Sequence, residues 1–237
     1  YWDNIAVMFF RPTPDPLLEN QKSKGSVIKN EFEIIAENLK IPWEIVFLPD
    51  GDLLVTERPG TVKRIGKDKN VYTIEGVKHV SEGGLLGMAL HPDFSENQWL
   101  YLYFTTKNGE GLINRVERYR FEKNRLSEKK IIIDKIPGAT HHDGGRIAFG
   151  PDGYLYITTG DAGIANLAQD INSLAGKVLR LKDDGSVPLD NPFDNAVYSY
   201  GHRNSQGIAW DNKGSLWATE HGRSGVLSGL DELNLIE

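Results

Sequence analysis

His142 and Asp161 bracket a segment, HHDGGRIAFGPDGYLYITTGD, that reads as two apolar strands joined by a Pro-Asp-Gly turn. A hairpin brings its two outer ends together. His141, His142, Asp143 and Arg146 are therefore expected near Thr159 and Asp161. Imidazole has a near-neutral intrinsic pKa and suits a general base. A carboxylate beside it would orient the ring and stabilise its protonated form. Both residues also have plainer uses. The histidine can be a hydrogen-bonded structural group, and an aspartate in Gly-Asp-Ala-Gly can close a local turn. Gly144 and Gly145 remove side chains next to His142, so a bulky ligand can approach. Neighbouring side chains alternate in extended chain, which predicts that His141 points away from His142. Adjacent histidines also suit a shared zinc ion poorly. Arg203 lies in GHRNSQG, among amides and glycines, a setting fit to grip a carbonyl or anionic oxygen. Asp183, Asp184, Asp190 and Asp194 match no EF-hand spacing and read as surface loop.

The elements that must hold these groups recur along the chain. WEIVFLPDGDLLVTE, LLGMALHPDFSENQWLYLYFTT, GRIAFGPDGYLYITTGD and GIAWDNKGSLWATEHG each run strand, turn, strand. The residue opening the second strand is Gly51, Gln98, Gly153 and Gly214 in turn, at intervals of 47, 55 and 61 residues. Repeats of this length, with further strands at Thr61 to Ile65, Val71 to Ile74, Arg115 to Phe121, Lys130 to Asp134 and Lys177 to Leu181, predict an all-β fold, a β-propeller. The length from Val27 suffices for about four blades. Asn166 to Leu174 is expected to form a helical turn or two. In each repeat the residues before the first strand and after the second share one end of a hairpin, hence one rim of the disc. Before the first strand stand Glu82, His142 and the run from Arg203 through Asn204 and Ser205 to Gln206. After the second stand Glu57, Arg58, Asp161, Glu220 and His221. Strand ends are polar in every sheet, but loops on a rigid scaffold commonly carry sites.

The first 26 residues, with prolines at 12, 14 and 16, are expected to be an arm or linker, and residues 27–237 the propeller domain. The apolar patch from Ile5 to Phe10 has no basic segment before it and does not read as an intact signal peptide. Hydrophobic residues make up 39% of the chain, somewhat low, and charged residues 25%, average for a soluble globular protein. The formal net charge of -6 argues against nucleic acid as a partner. No apolar run approaches a membrane span. With no cysteine, thiol catalysis and disulfides are excluded.

Six phrases carry a resemblance: IPWEIVFLPDGDLLVTER, EGGLLGMALHPDF, HHDGGRIAFGPDGYLYITTGD, LAGKVLRLKDDGSVPLDNPF, GHRNSQGIAW and EHGRSG. In this order they resemble the soluble, pyrroloquinoline quinone (PQQ)-dependent glucose and aldose sugar dehydrogenases. The resemblance implies a six-bladed propeller binding PQQ and calcium, and oxidation of an aldose to its lactone by hydride transfer to the quinone. It implies that His142 is the base, that Asp161 orients it and that Arg203 polarises the quinone oxygen. Glu82, Asn204 and Gln206 would contact the cofactor, and the main-chain carbonyls of Gly222 and Arg223 would hold calcium. The electron acceptor stays unidentified, and such proteins are often exported. Ser205 and Arg223 stand where the family usually has proline, and Arg223 adds a cation beside the calcium position. The family's last blades, which supply Lys and Arg to the PQQ carboxylates, have no counterpart in this length. Two other functions fit such a rim: a non-catalytic propeller that binds a ligand, and a calcium-dependent lactonase. The lactonase would need Glu57, Glu220 and Asp161 to converge on one ion.

Overall fold

The computed structural model describes residues 5–9, 33–223 and 230–237. The chain divides into two units, Tyr1–Ile41 and Pro42–Glu237. In the first, β1 (Ile5–Phe9) pairs antiparallel with β2 (Glu33–Leu39). The expected boundary after residue 26 lies outside the described residues.

The second unit is a run of antiparallel sheets in chain order, four blades of a β-propeller. Blade 1 holds β3 (Pro42–Phe47), β4 (Leu53–Glu57), β5 (Thr61–Ile65) and β6 (Val71–Thr73). Blade 2 holds β7 (Leu85–Leu90), β8 (Trp99–Asn108), β9 (Gly111–Glu122) and β10 (Arg125–Pro137). Blade 3 holds β11 (Ile147–Phe149), β12 (Leu155–Thr158), β13 (Lys177–Leu181) and β14 (Val197–Tyr200). Blade 4 shows β15 (Ser205–Trp210), β16 (Leu216–Glu220) and β17 (Glu232–Ile236). Among the described residues helix is confined to α1 (Phe94–Asn97) and α2 (Ala165–Gln169), the latter overlapping the segment from Asn166 to Leu174 expected to turn. Among the described residues no helix is long and apolar enough to cross a membrane.

The repeats are conformational as well as compositional. Gly51, Gln98, Gly153 and Gly214 all have positive φ, at 90°, 54°, 79° and 83°. Glycine takes that conformation without strain; Gln98 takes it as the left-handed cap of α1, donating its N–H to the Phe94 carbonyl at 2.8 Å. Blade 2 alone has long outer strands, because Lys123 and Asn124 (φ 50° and 58°) turn β9 into β10 over two residues.

Blades pack face to face, so strands β4, β12 and β13 are buried along their whole length. Each blade boundary has its own apolar layer. Leu54 and Val62 meet Leu85, Met88, Leu100 and Leu102 between blades 1 and 2. Tyr101 and Tyr103 meet Ile147, Ile157 and Leu179 between blades 2 and 3. Tyr156 and Val178 meet Leu216, Ala218 and Ile236 between blades 3 and 4. Fully burying one such side chain stabilises the fold by about 1.5–3 kcal/mol.

One charged residue sits inside this core. Lys177, which opens β13, is fully buried, and its ammonium donates to the carbonyls of Leu167, Ala168 and Ala175 at 2.8, 2.9 and 2.6 Å. It thereby fastens the loop that follows Asp161 onto blade 3. Burial pushes the ammonium down to about 8, with Asp170 pulling the other way. An unfolded lysine titrates near ~10.4, so the unfolded chain binds the extra proton between these values and stability rises with pH across that window. Lys177→Met strands three carbonyls and should cost about 1–3 kcal/mol in urea unfolding. The difference from wild type should widen between pH 7 and pH 10; a constant difference would contradict the buried ammonium.

Candidate functional site

The hairpin from β11 to β12 closes as expected: Ile147 faces Ile157, and Gly145 N donates to Thr158 O at 2.9 Å. Beyond the ladder the chain crosses itself. His142 has φ 58°, a left-handed conformation rare for a side-chain-bearing residue. Three contacts hold it there. Its N–H donates to Glu82 Oε2 at 2.8 Å, its carbonyl accepts from Ala162 N at 3.2 Å, and its Nδ1 lies 2.7 Å from Asp161 Oδ1. The carboxylate can only accept, so Nδ1 carries the proton and Nε2 is the free acceptor. The side chain is 15% exposed, and Nε2 has no hydrogen-bond partner among the described residues. The positive φ also breaks the expected alternation. The rings of His141 and His142 meet edge-on with centroids 4.6 Å apart instead of pointing apart.

Asp161 is buried, and its Oδ1 also accepts from Gly163 N at 2.7 Å. Its own N–H donates to Arg203 O at 2.8 Å, and Gly160 bridges to Asn204. These bonds set the entrance of blade 4 beside the end of β12. Arg203 is half-buried, with Nη1 donating to the His221 carbonyl at 3.1 Å. Its Nε and Nη2 have no partner among the described residues and are not sealed away. His142, Asp161, Arg203 and Glu82 thus meet on one rim.

Other residues expected there are turned inward. Asn204 is 2% exposed, and its Oδ1 accepts the Gly144 N–H at 3.0 Å. It braces the glycine pair and does not face outward. Glu220 is buried and gathers His202 Nδ1 (2.9 Å), Ser205 Oγ (3.0 Å) and the Arg203 N–H. Burial pushes its carboxyl up, but the His202 and Arg203 hydrogen bonds outweigh that and hold it below the usual range. Glu57, also buried, pairs with Lys63 at 2.8 Å and accepts from Thr61 Oγ1 at 2.6 Å. Glu57, Glu220 and Asp161 therefore do not form one ion site. Among the described residues no group of three or more His, Asp or Glu is placed to hold a metal. His202 had no functional signal in the sequence; only its burial against Glu220 and Ser199 reveals it.

Gln206 is half-buried, and its carbonyl accepts from Arg146 Nε at 2.9 Å. Arg146 also pairs with Glu44 and lies 4.2 Å over the Trp43 ring. It is a tie between the first strands of blades 1, 3 and 4, beneath the rim. Gly222 N donates to Asp231 Oδ1 at 3.0 Å, and Arg223 is exposed.

Fold and rim together define a β-propeller with a histidine, a carboxylate bonded to its ring and an available guanidinium at the blade entrances. The chain belongs to the glucose/sorbosone dehydrogenase family, whose model matches residues 39–237. It is similar to quinoprotein glucose dehydrogenase B of Acinetobacter calcoaceticus, 33% identical over 93% of this chain and 53% of that protein. Aldose sugar dehydrogenase YliI of Escherichia coli is 32% identical over 86% of this chain and 58% of its own length. Among solved structures, the PQQ-bound aldose sugar dehydrogenase of Streptomyces coelicolor is 42% identical over 86% of this chain and 62% of that one, with a TM-score of 0.78. The chain spans about half the length of the curated relatives it matches.

A side chain at position 160 has no room: its Cβ would fall 1.7 Å from the His142 carbonyl oxygen. Gly160→Ala should lower stability in urea unfolding by about 1–3 kcal/mol or more. It should also break the coupling between the His142 and Asp161 resonances seen by NMR. Unchanged stability would mean that the crossing is looser than described.

Proposed function

We propose that the protein to which this chain belongs oxidises aldose sugars to lactones with PQQ, assisted by calcium. The observation that carries the proposal is the His142 imidazole, tied by Nδ1 to Asp161 at 2.7 Å and free at Nε2. Its relatives, named quinoprotein glucose dehydrogenase B and aldose sugar dehydrogenase YliI, support the same chemistry.

The donor set fits a quinone that carries carbonyls and carboxylates. Arg203 offers two unpaired nitrogens, Gln206 a half-buried carboxamide, and the glycine pair Gly144 and Gly145 leaves its stretch of backbone without side chains. Bound at this rim, PQQ supplies the acceptor for the hydride of the anomeric carbon. Arg203 and Gln206 would hold it, Arg203 against a carbonyl oxygen where negative charge develops. His142 Nε2 takes the proton of the anomeric hydroxyl as the lactone forms. Asp161, fixed by Gly163 N, keeps the ring in the correct tautomer and balances the imidazolium charge. Glu82 holds the His142 backbone, and Asn204 holds that of Gly144.

Calcium would be held by the carbonyls of Gly222 and Arg223 and would supply Lewis acidity and a clamp. Those ligands are neutral and lie beside the Arg223 cation, so they suit a metal only when it is shared with an anionic cofactor. Reoxidation of the bound quinone would need an external electron acceptor.

Four measurements test the proposal. With PQQ and calcium, an aldose should bleach a redox dye. His142→Ala should abolish bleaching while PQQ still binds, as read by its absorbance; normal turnover in that variant would remove the base. Asp161→Asn should lower kcat by roughly 10²–10⁴-fold. Calorimetric calcium affinity should be weak alone and rise when PQQ is present; equal affinity in both would refute the shared site.

A further inference from the structure

We propose that Arg58 is a positioning residue, acting through Glu82 on the backbone of His142. The inference rests on the assignment of His142 as the base. Arg58 directly follows β4, at the place His221 takes after β16. Its carbonyl accepts the Leu85 N–H at 3.0 Å, and a Cβ on Gly84 would lie 2.4 Å from that oxygen. Its backbone is thus fixed at the junction of blades 1 and 2.

Its side chain breaks an ordinary rule. Nε and Nη2 are buried and make no hydrogen bond among the described residues. Unpaired buried N–H groups are costly, and a packing role needs no charge. What the charge faces is a pair of carboxylates, Glu82 and Asp143. Asp143 follows His142 in sequence, and Glu82 meets it from sixty residues away. Glu82 Oε2 accepts the His142 N–H at 2.8 Å. Asp143 accepts from Asn114 Nδ2 at 2.9 Å and Ala139 N at 3.1 Å, while its Oδ2 is buried without a partner. Burial pushes the Asp143 carboxyl up, and the neighbouring Glu82 adds to that. Among the described residues the other ionisable groups near the pair are the exposed His79 and His141 and the buried Tyr103, whose hydroxyl donates to the Asp143 carbonyl at 2.7 Å. His79 is held below its usual range by burial and by Arg58 itself, so it cannot replace the cation.

Arg58 is therefore the permanent positive charge that faces Glu82 and Asp143 and draws the Glu82 carboxylate to its place against the His142 N–H. An ionised acceptor makes a hydrogen bond roughly twice as strong as a neutral one. That bond holds His142 at φ 58° and so aims Nε2 across the rim. The cost of the buried guanidinium is the kind of local violation that functional sites retain.

The test compares Arg58→Met, Arg58→Lys and wild type in the full chain. Met fills the volume without charge or unpaired N–H groups. Arg58→Met should unfold at the same or higher urea concentration than wild type. Its His142 amide should exchange with deuterium about tenfold faster or more, from loss of a charge-assisted bond. In the PQQ-loaded protein kcat should fall with KM unchanged, and Arg58→Lys should restore both readouts. Reduced stability with unaltered His142 exchange would make Arg58 a packing residue and overturn the proposal. A raised KM or weaker PQQ binding with unaltered exchange would make it a ligand contact and overturn it too. The exchange measurement needs no cofactor, so it decides the role of Arg58 even if sugar oxidation fails.

Discussion

The contact between the His142 carbonyl and Gly160 sets the geometry of the rim. There the strand entering blade 3 crosses the strand leaving its second position with no space for a side chain. Because the two backbones touch, Ala162 N can reach the same carbonyl and Asp161 can reach the imidazole. The left-handed turn at His142 follows from that crossing. So does the tie to blade 4, since the residues that bridge to Asn204 and Arg203 are Gly160 and Asp161. An imidazole, a carboxylate and a guanidinium from distant stretches are held together largely by main-chain contacts.

The polar rim has two layers with different work. The outer layer, Glu82, His142 and Arg203, keeps unsatisfied atoms toward solvent. The inner layer, Glu57, Glu220, Asn204 and His202, is buried and fully engaged with neighbouring backbone and side chains. Buried polar groups need partners, and each of these supplies partners to a strand entrance. The inner layer is what gives the outer one fixed aim. Arg146 and Lys177 extend the same principle below the rim, one tying three blades and the other pinning a loop to carbonyls.

Much of this was legible in the chain. The Pro-Asp-Gly turns, their spacing and the apolar runs on either side located the hairpins, and β5 and β13 fall where the sequence placed them. The pairing of His142 with Asp161 followed from hairpin closure alone. Other features were not legible. His141 and His142 lie edge to edge because the backbone departs from extended geometry at one residue, and no local signal marks a positive φ at histidine. Asn204 and Glu220 looked like rim groups, yet Asn204 faces inward to the Gly144 N–H of blade 3 and Glu220 to the donors of the stretch from His202 to Ser205 that enters its own blade. The long strands of blade 2 depend on a Lys-Asn turn that composition would not have singled out.

By itself the sequence determined the strand period, the turn chemistry and hence the propeller, because those are set by local sterics and by which side of each strand is apolar. It also determined which segments come to one face. Only the tertiary structure decided which of the polar groups on that face stay open to a ligand. That choice depends on whether a neighbouring blade brings a donor or acceptor within about 3 Å, a fact recorded at no single position in the chain.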